Sequence, residues 1–406
     1  MENVFFILVD GLSDLPKELT PLSKATKSEI NSIVRKSFVA KFLPLNKEEW
    51  PKTGYASISQ YANLSILGND VKKLYIRRGP IEAIGSDLEY KDGWLAIRVD
   101  FGTVDENLIV KDRRAGREVF GIDSIVEDLN KMDFEIPFYI KRTYGHRGVL
   151  VFKENLSDKI TNSDPLEINR KVNIIEPIKK DKLSIKTAKI LQKFLEKSYF
   201  LMKNHRINKE RKERGFLEVN YLLTREAGNK LPKVKNFFKK FKFKNGVAIA
   251  ENGVMKGTCK LAGFDCINVD EMDYENQLDF IFKKILEVRK KYQFIYAHIK
   301  GADEAAHDKD FNRKVEFIEK FDKYIGFLLN NVDFEKSILI ITADHITDCN
   351  TGKHEFGYVP ILIYGNGIKG NDRKDFSEKE IMKVKKVFRP KDLWNFIKNV
   401  SKRYKI

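Results

Sequence analysis

The sequence predicts an α/β fold in which amphipathic helices cover both faces of a mostly parallel sheet. Short, wholly apolar runs recur along the chain, and segments with helical periodicity lie between them. Strands of a parallel sheet are buried on both faces and read as continuous apolar runs, whereas surface helices show an apolar residue every three to four positions. The middle of the chain differs, because its apolar stretches are hairpin-like and separated by turns.

The predicted elements fall into two groups along the chain. The first predicted parallel strand is at residues 4–9, far from the others, which are predicted at 247–250, 294–298, 338–342 and 359–364. The clearest helical segments are 188–202, 276–292 and 311–329, and the hairpin-like pieces are 93–98 and 148–152. An inserted domain explains both the long gap between the first and second predicted strands and the hairpin-like segments within that gap. We therefore expect residues 1–75 and 235–406 to form one α/β domain, with residues 76–234 as an inserted α+β domain.

Composition excludes several classes of protein. The chain has 406 residues, of which 42% are hydrophobic and 33% charged, so it is neither disordered nor a membrane protein in composition. Its three cysteines, Cys259, Cys266 and Cys349, are too few for a disulfide framework. Neither a secretory signal nor an apolar run of membrane-spanning length is found. We expect a cytoplasmic protein without a membrane partner.

The formal net charge of +17 raises the question of a polyanionic partner. Residues 230–244 contain seven lysines and no acid, interleaved with Phe237, Phe238, Phe241 and Phe243. Such a segment could be a nucleic-acid platform, or an amphipathic helix whose phenylalanines are buried while its lysines stay in water. The second interpretation is favoured, since the first leaves the acidic and histidine residues described next without a role. We expect no nucleic-acid partner.

Carboxylates and imidazoles follow three of the predicted strands. In open α/β sheets, ligands bind just beyond the carboxyl ends of the strands, where these side chains would meet. Each piece alone is weak, because an aspartate before glycine is a common turn. Together they are more specific, since three of only six histidines fall within residues 307–354. The six residues are Asp10, Asp303, His307, Asp344, His345 and His354.

This mixture of ligands suits Mn²⁺ or Zn²⁺, and six such ligands are enough for two ions. Two metal ions about 4 Å apart form a clamp for phosphoryl transfer, because they stabilise both the attacking and the leaving oxygen. A bound metal also acidifies a coordinated hydroxyl, which makes serine a usable nucleophile. The pattern therefore predicts a nucleophilic serine near the first strand.

The motifs resemble those of the archaeal type of cofactor-independent phosphoglycerate mutase, a family of the alkaline-phosphatase superfamily. The metal motifs are Asp10-Gly11, HIKGADEAAH at residues 298–307 and TADH at residues 342–345. Within the predicted insertion, RGPIEAIG at residues 78–85 and DRRAGR at residues 112–117 extend the likeness, which covers nearly the whole chain. The resemblance implies an alkaline-phosphatase-like doubly wound sheet with an inserted substrate-binding domain.

It also implies conversion of 3-phosphoglycerate to 2-phosphoglycerate through a phosphoserine, as in glycolysis and gluconeogenesis, without 2,3-bisphosphoglycerate. Two divalent ions are implied, with Mn²⁺ expected and Mg²⁺, Co²⁺ or Zn²⁺ as alternatives. Carried over residue by residue, one ion would be bound by Asp303, His307 and His354. The other would be bound by Asp10, Asp344, His345 and the nucleophilic serine.

The predicted nucleophile is Ser59, which lies at the family's serine position when the chain is aligned without gaps on Leu67-Gly68. Its surroundings depart from the family pattern, because Ile58 replaces a glycine, Gln60 an aspartate and Asn63 a histidine. Ser57 and Thr53 are the alternatives if the alignment contains a gap. A catalytically degenerate copy is a further alternative, although all six other ligands are present.

The substrate carries a phosphate and a carboxylate, so it requires a cationic pocket, and arginine matches both groups with paired donors. The expected substrate-binding residues are Asp112, Arg113, Arg114 and Arg117 of the insertion, with Lys256 facing them. For Arg78 and Arg147, pairing with surface acids is at least as plausible. His146 and His205 are expected to be structural or surface residues, and His298 a hydrogen-bonded core histidine.

Two domains that close over the substrate would retain glycerate and exclude water between the two transfers, so the insertion is expected to act as a lid. The nearest alternative function is a phosphohydrolase of the same superfamily, in which water accepts the phosphoryl group. A sulfatase is disfavoured, since no Cys/Ser-x-Pro-x-Arg string occurs.

Overall fold

The computed structural model describes residues 1–52 and 57–403 of the chain, and within them it contains sheets of eight, five and two strands. The strands are β1 (Val4–Val9), β2 (Phe38–Phe42), β3 (Trp94–Val104), β4 (Val110–Asp112), β5 (Phe138–Arg142), β6 (Arg147–Asn155), β7 (Tyr221–Gly228), β8 (Gly246–Glu251), β9 (Asp265–Val269), β10 (Phe294–Ile299), β11 (Ile338–Thr342), β12 (Ile346–Asp348), β13 (Lys353–Glu355), β14 (Val359–Gly365) and β15 (Val387–Phe388).

Fourteen α-helices connect and cover these strands in the described part of the chain. They are α1 (Pro21–Lys24), α2 (Ser28–Val34), α3 (Ile58–Ile66), α4 (Arg78–Gly85), α5 (Ile122–Asn130), α6 (Lys182–Lys203), α7 (Arg206–Glu213), α8 (Phe237–Phe241), α9 (Val254–Leu261), α10 (Tyr274–Val288), α11 (Gly301–His307), α12 (Phe311–Asn331), α13 (Glu378–Met382) and α14 (Pro390–Arg403). None of the helices described is long and apolar enough to cross a membrane.

The eight-stranded sheet has the strand order β15-β2-β14-β11-β1-β10-β8-β9. β11, β1, β10, β8 and β9 are parallel neighbours, and every residue of β1, β10 and β11 is buried. The apolar runs of the sequence are thus explained by burial on both faces, and the predicted doubly wound, mostly parallel fold is confirmed.

One strand orientation was predicted wrongly. The apolar run at 359–364 does form β14, but this strand is antiparallel to both of its neighbours, β11 and β2. The chain between β11 and β14 contains only the short β12–β13 hairpin and no crossover helix. Parallel neighbours need a crossover, usually a helix on one face of the sheet, that carries the chain back to the start of the preceding strand. The hairpin here leaves the chain at the end of β11, so β14 begins there and runs in the opposite direction.

The five-stranded sheet is antiparallel and is built from one continuous stretch of chain, residues 94–228. The hairpin-like pieces of the sequence are confirmed as parts of β3 and β6, which pair with each other. An apolar cluster that includes Phe152 and Phe194 lies between this sheet and helix α6. The strands of the larger sheet lie outside this stretch, so an inserted second domain remains our proposal for residues 76–234.

Helices α4 and α9 pack at unusually short distance and join the two sheets. A Cβ atom on Gly85 would lie 1.9 Å from the carbonyl oxygen of Gly253, and one on Gly257 would lie 2.0 Å from that of Ile81. Any larger residue would force the helices apart. This packing brings the start of β6 close to the end of β8, where Arg147 Nη1 lies 3.8 Å from Glu251 Oε1.

The centre of the lysine-rich segment forms the short amphipathic helix α8, whereas residues 230–236 are not helical. Phe237, Phe238 and Phe241 of α8 are buried in the core of the larger sheet, while Lys239 and Lys240 are exposed. The aromatic rings are therefore not available to stack on nucleic-acid bases.

Candidate active site

Six predicted ligands converge at the carboxyl edge of the three central strands. Asp10 follows β1, Asp303 and His307 belong to α11 after β10, and Asp344 and His345 follow β11. His354 is supplied by β13, the second strand of the short hairpin. The site is thus assembled from segments more than 290 residues apart in sequence, because β1 lies between β10 and β11.

The ligand atoms form two overlapping groups. One atom from each of Asp303, His345 and His354 lies within 4.8 Å of the others, and the same holds for Asp10, Asp344 and His345. His307 adjoins the first group, since its Nε2 lies 3.3 Å from Asp303 Oδ2 and 3.1 Å from His354 Nε2. His345 is common to both groups.

Glycine is required directly after Asp10. Gly11 has φ of 61°, and a Cβ atom there would lie 2.7 Å from Thr347 Oγ1 and 2.9 Å from the Cα of Asp303. The loop after β1 can therefore approach α11 and β12 only without a side chain at this position. This explains the Asp-Gly pair in the sequence as a packing requirement.

The environment of the cluster fits bound cations. Oδ1 of Asp344 is buried without a hydrogen-bond partner among the described residues, which is costly unless a cation is nearby, and Oδ1 of Asp10 faces His345 Nε2 at 3.0 Å. Burial, and then the neighbouring Asp10 carboxylate, raise the pKa of Asp344 to about 8. Burial alone would lower the pKa of His345, but the carboxylates of Asp344 and Asp10 outweigh this and raise it to about 10. Carboxylate and imidazole ligands in this number suit two divalent ions of the Mn²⁺ or Zn²⁺ type.

Hydrogen bonds on the far side of two imidazoles fix their orientation. His307 Nδ1 lies 2.7 Å from the carbonyl oxygen of Gly352, which can only accept, so Nδ1 carries the proton and Nε2 faces the cluster. Thr347 Oγ1 lies 2.8 Å from Asp303 Oδ1 and 3.1 Å from His345 Nδ1. Metal-binding histidines ordinarily have such a partner on the other ring nitrogen.

Ser59 lies in the first turn of α3, with Oγ 3.0 Å from His345 Nε2. One turn later, Asn63 Nδ2 donates to Asp344 Oδ2 at 3.1 Å and to the carbonyl oxygen of Ser59. The hydroxyl of Tyr296 in turn donates to Asn63 Oδ1. Asn63, which the sequence alignment placed at the family's histidine position, therefore contacts Asp344 and Ser59 through its side-chain amide. Ser57 caps α3 through its side chain, and Thr53 lies outside the described residues.

The predicted substrate-binding residues of the insertion make separate contacts in the structure. Arg113 forms a bidentate pair with buried Asp164, at 2.5 and 2.9 Å, and Arg117 pairs with Asp308, next to His307. Asp112 accepts hydrogen bonds from the backbone N–H groups of Arg114 and Gly116. Together Asp112, Arg113, Arg114 and Arg117 line part of a cavity of about 720 Å³.

Lys256 lies apart from these arginines. Its ammonium group donates to Asp87 Oδ2 at 2.6 Å, close to the end of α4, and the residue is buried. This pair belongs to the junction between α4 and α9.

Arg114 also belongs to a cluster of five arginines between the two sheets, whose other members were not among the predicted substrate-binding residues. This arginine cluster consists of Arg78, Arg98, Arg114, Arg147 and Arg225. Asp100 links two of its members, with Oδ1 2.8 Å from Arg98 and Oδ2 2.7 Å from Arg225. Arg98 and Asp100 lie on the same face of β3 and interrupt its apolar run. This interruption was the one sign of the arginine cluster in the sequence of the strand.

The arginine cluster has a surplus of positive charge. Burial and then the guanidinium of Arg98 lower the pKa of both Arg78 and Arg225 to about 10. The Nε atoms of Arg98, Arg147 and Arg225 are buried without a hydrogen-bond partner in the described structure. Buried donors of this kind are suited to an incoming anion. Arg78 pairs with buried Glu82, rather than with a surface acid as considered above.

The remaining histidines differ in environment. His205 caps α7 and lies 3.1 Å from Asp128, in agreement with a structural role. His146 lies 3.7 Å from Asp100 beside the arginine cluster. His298 is buried as expected, but neither ring nitrogen has a hydrogen-bond partner among the described residues, so the expected hydrogen bonding is wrong. Its Nε2 lies 3.8 Å from Asp10 Oδ2.

Comparisons with known proteins identify the family of the chain. The family model for 2,3-bisphosphoglycerate-independent phosphoglycerate mutase matches residues 49–208. A solved structure from Pyrococcus horikoshii aligns with a TM-score of 0.78 and 28% identity, over 100% of this chain and 98% of that one. The cofactor-independent phosphoglycerate mutase of Thermoplasma acidophilum aligns with a TM-score of 0.61 and 26% identity, over 98% of this chain and 100% of that one.

Sequence similarity is greater to a curated archaeal enzyme. The 2,3-bisphosphoglycerate-independent phosphoglycerate mutase of Methanosphaera stadtmanae is 37% identical over 395 residues. The family resemblance inferred from the motifs is thereby confirmed. Since the alignment covers 94% of this chain and 93% of the relative, the protein belongs to the family of 2,3-bisphosphoglycerate-independent phosphoglycerate mutases.

Proposed function

We propose that this mutase transfers the phosphoryl group through Ser59 and depends on two divalent metal ions. The observation that carries the proposal is the position of the Ser59 hydroxyl, 3.0 Å from His345 Nε2, the residue common to both ligand groups. Asp303, His307 and His354 would hold one ion, and Asp10, Asp344, His345 and Ser59 the other. Mn²⁺ is the proposed ion, with Mg²⁺, Co²⁺ and Zn²⁺ as alternatives.

When bound, such ions acidify a serine hydroxyl and neutralise charge that develops on the phosphoryl oxygens. Ser59 Oγ forms a bond to phosphorus as the bond to the 3-oxygen of glycerate breaks. The 2-oxygen of the retained glycerate then takes the phosphoryl group and releases Ser59. Each transfer exchanges one phosphoryl group and one proton between two oxygen atoms, so the net reaction consumes no water. Asn63, which donates to the backbone of Ser59 and to Asp344, holds the nucleophile against the ligand groups.

The arginine cluster is proposed to bind the charged substrate together with Arg113 and Arg117. Its support is the surplus of positive charge and the unpartnered Nε atoms of Arg98, Arg147 and Arg225. Guanidinium groups on different strands can hold the carboxylate while glycerate turns between the two transfers. Lys256 stays a candidate, although its ammonium is engaged by Asp87.

Closure of residues 76–234 over the larger sheet is proposed to retain glycerate. Two ion pairs support this proposal, because each joins a residue of 76–234 to a residue of the part that contains the larger sheet. Arg117 pairs with Asp308, and Arg142 Nη1 lies 2.6 Å from Glu271 Oε2. Solution scattering with a substrate analogue should show a smaller radius of gyration than without it, and an unchanged profile would count against closure.

The test is conversion of 3-phosphoglycerate to 2-phosphoglycerate by the purified protein, without 2,3-bisphosphoglycerate. Activity should require Mn²⁺, disappear in EDTA and be lost in Ser59→Ala. Ser57→Ala, which removes the alternative nucleophile and the cap of α3, should lower activity only in part. Phosphate release without isomerisation would identify a phosphohydrolase. Inactivity in both assays would indicate a degenerate copy, and activity that survives Ser59→Ala would refute the proposed nucleophile.

A further inference from the structure

Thr347 lies at the point where the two candidate ligand groups meet. The residue is fully buried in β12, and its hydroxyl contacts one member of each group, Asp303 and His345. A hydroxyl has one proton to donate, and an ionised carboxylate can only accept. The proton of Thr347 therefore goes to Asp303 Oδ1 at 2.8 Å. The contact with His345 Nδ1 at 3.1 Å must then be one in which Nδ1–H donates and Thr347 accepts.

This assignment of protons determines which nitrogen of His345 faces the cluster as a ligand. With Nδ1 protonated towards Thr347, Nε2 is the nitrogen directed at Asp10 Oδ1, 3.0 Å away, and at Ser59. The same hydroxyl orients the Asp303 carboxylate, whose two oxygens face His354 and His307. One side chain thus orients a ligand in each group.

The backbone of Thr347 is held as firmly as its side chain. Its N–H donates to the carbonyl oxygen of Ser13 at 3.0 Å, and its carbonyl oxygen accepts from the fully buried ammonium group of Lys314 at 3.1 Å. Lys314 also pairs with Asp14 Oδ2 at 2.6 Å, and Asp14 Oδ1 accepts from the N–H of Cys349. The loop after β1 and strand β12 are therefore joined on both sides of Thr347.

We propose that Thr347, anchored by Lys314, is a positioning residue that couples the two metal sites and selects the Nε2 ligand form of His345. The inference rests on the proposed function, since it presupposes that Asp303 and His345 bind metal. Hydrogen-bond partners of metal ligands commonly change metal affinity by about 10- to 100-fold when removed.

The test is calorimetric titration of Mn²⁺ into the full-length protein after removal of metal with EDTA. Thr347→Val removes the hydroxyl at nearly constant volume and should weaken Mn²⁺ binding by about 10- to 100-fold. Thr347→Ser keeps the hydroxyl and should bind within about 3-fold of the wild type. The matched control is Thr258→Val, whose buried hydroxyl has the carbonyl oxygen of Val254 within α9 as its one hydrogen-bond partner among the described residues.

A spectroscopic measurement separates positioning from a general loss of stability. The visible absorption of bound Co²⁺ should change in Thr347→Val and should be unchanged in Thr258→Val, even if both variants melt at lower temperature. Thr347→Ala, which leaves space instead of a methyl group, provides the same comparison if the valine variant does not fold.

The outcomes distinguish the two proposals. If the wild type binds none of Mn²⁺, Mg²⁺, Co²⁺ and Zn²⁺, the metal-dependent function fails and the positioning role fails with it. If the wild type binds Mn²⁺ and Thr347→Val binds it equally well with an unchanged Co²⁺ spectrum, only the positioning role is overturned.

Discussion

Replacement of Asp344 by asparagine should abolish activity and yet stabilise the metal-free protein. The carboxyl group is 2% exposed and has a pKa of about 8, because of burial and the nearby Asp10 carboxylate. In the unfolded chain the same group ionises near pH 4. The unfolded state therefore loses its proton first, and the stability of the folded state falls as the pH rises from about 4 to about 8.

The size of this effect follows from the difference in pKa. At pH 7 about three pH units separate the solution from the unfolded pKa, and each is equivalent to about 1.4 kcal/mol, which gives at most about 4 kcal/mol. Asparagine cannot ionise and keeps an oxygen that can accept from Asn63. We expect Asp344→Asn to gain about 2 to 4 kcal/mol of unfolding free energy at pH 7 and almost nothing at pH 4.

Urea unfolding in EDTA at pH 4, 5, 6 and 7 measures this difference. Asp100→Asn is the control of opposite sign. Burial alone would raise the pKa of Asp100, but Arg98 and Arg225 hold it well below its usual range. Its ionised form therefore stabilises the fold throughout pH 4 to 7, because this contribution is lost only as the pH falls from about 4 through the lowered pKa of the folded state. Asp100→Asn should therefore destabilise the protein by a similar amount at each of the four pH values. A gain for Asp344→Asn that is absent at pH 7, or equal at pH 4 and pH 7, would refute the reasoning.

Two further predictions concern the arginine cluster and the core. Arg225→Met should raise KM for 3-phosphoglycerate by at least about 10-fold in steady-state kinetics, because it removes a buried guanidinium from the proposed anion site. Arg206→Met, on the surface of α7, is the control and should leave KM unchanged. Phe237→Ala should cost about 3 to 5 kcal/mol of unfolding free energy, since its ring is fully buried against Phe294 and Trp394. Phe200→Ala, at an exposed ring, should cost under about 1 kcal/mol in the same urea titration.

Burial on both faces made the central sheet predictable. β1, β10 and β11 are continuous apolar runs, and their order places Asp10, Asp303, Asp344 and His345 at one edge. β14 reads in the same way but is antiparallel, because apolar composition reports burial and not direction. Strand direction depends on whether the preceding connection contains a crossover helix, and the sequence did not show that residues 346–355 form a hairpin instead.

The arginine cluster escaped prediction for a different reason. Its members come from α4, β3, β6, β7 and the segment after β4, and only the packing of α4 on α9 brings them towards the larger sheet. A lone arginine in a sequence is most often a solvated surface residue. The DRRAGR motif is contiguous in the sequence and could be found there. Arg98 and Arg225 are recognised as a pair only through Asp100, and Arg225 on β7 reaches Asp100 from the neighbouring strand.

The position of β1 also dictates the order in which the chain can become ordered. β1 precedes the other described strands in the chain, yet its neighbours begin at Phe294 and Ile338, so it has no partner on either side until most of the chain exists. The five-stranded sheet is completed by residue 228. Because long-range pairing is slow, amides of β3 and β6 should become protected from hydrogen exchange during refolding before those of β1, and simultaneous protection would contradict this order. The catalytic edge would then be the last part of the molecule to form, so a partly synthesised chain could not transfer phosphate.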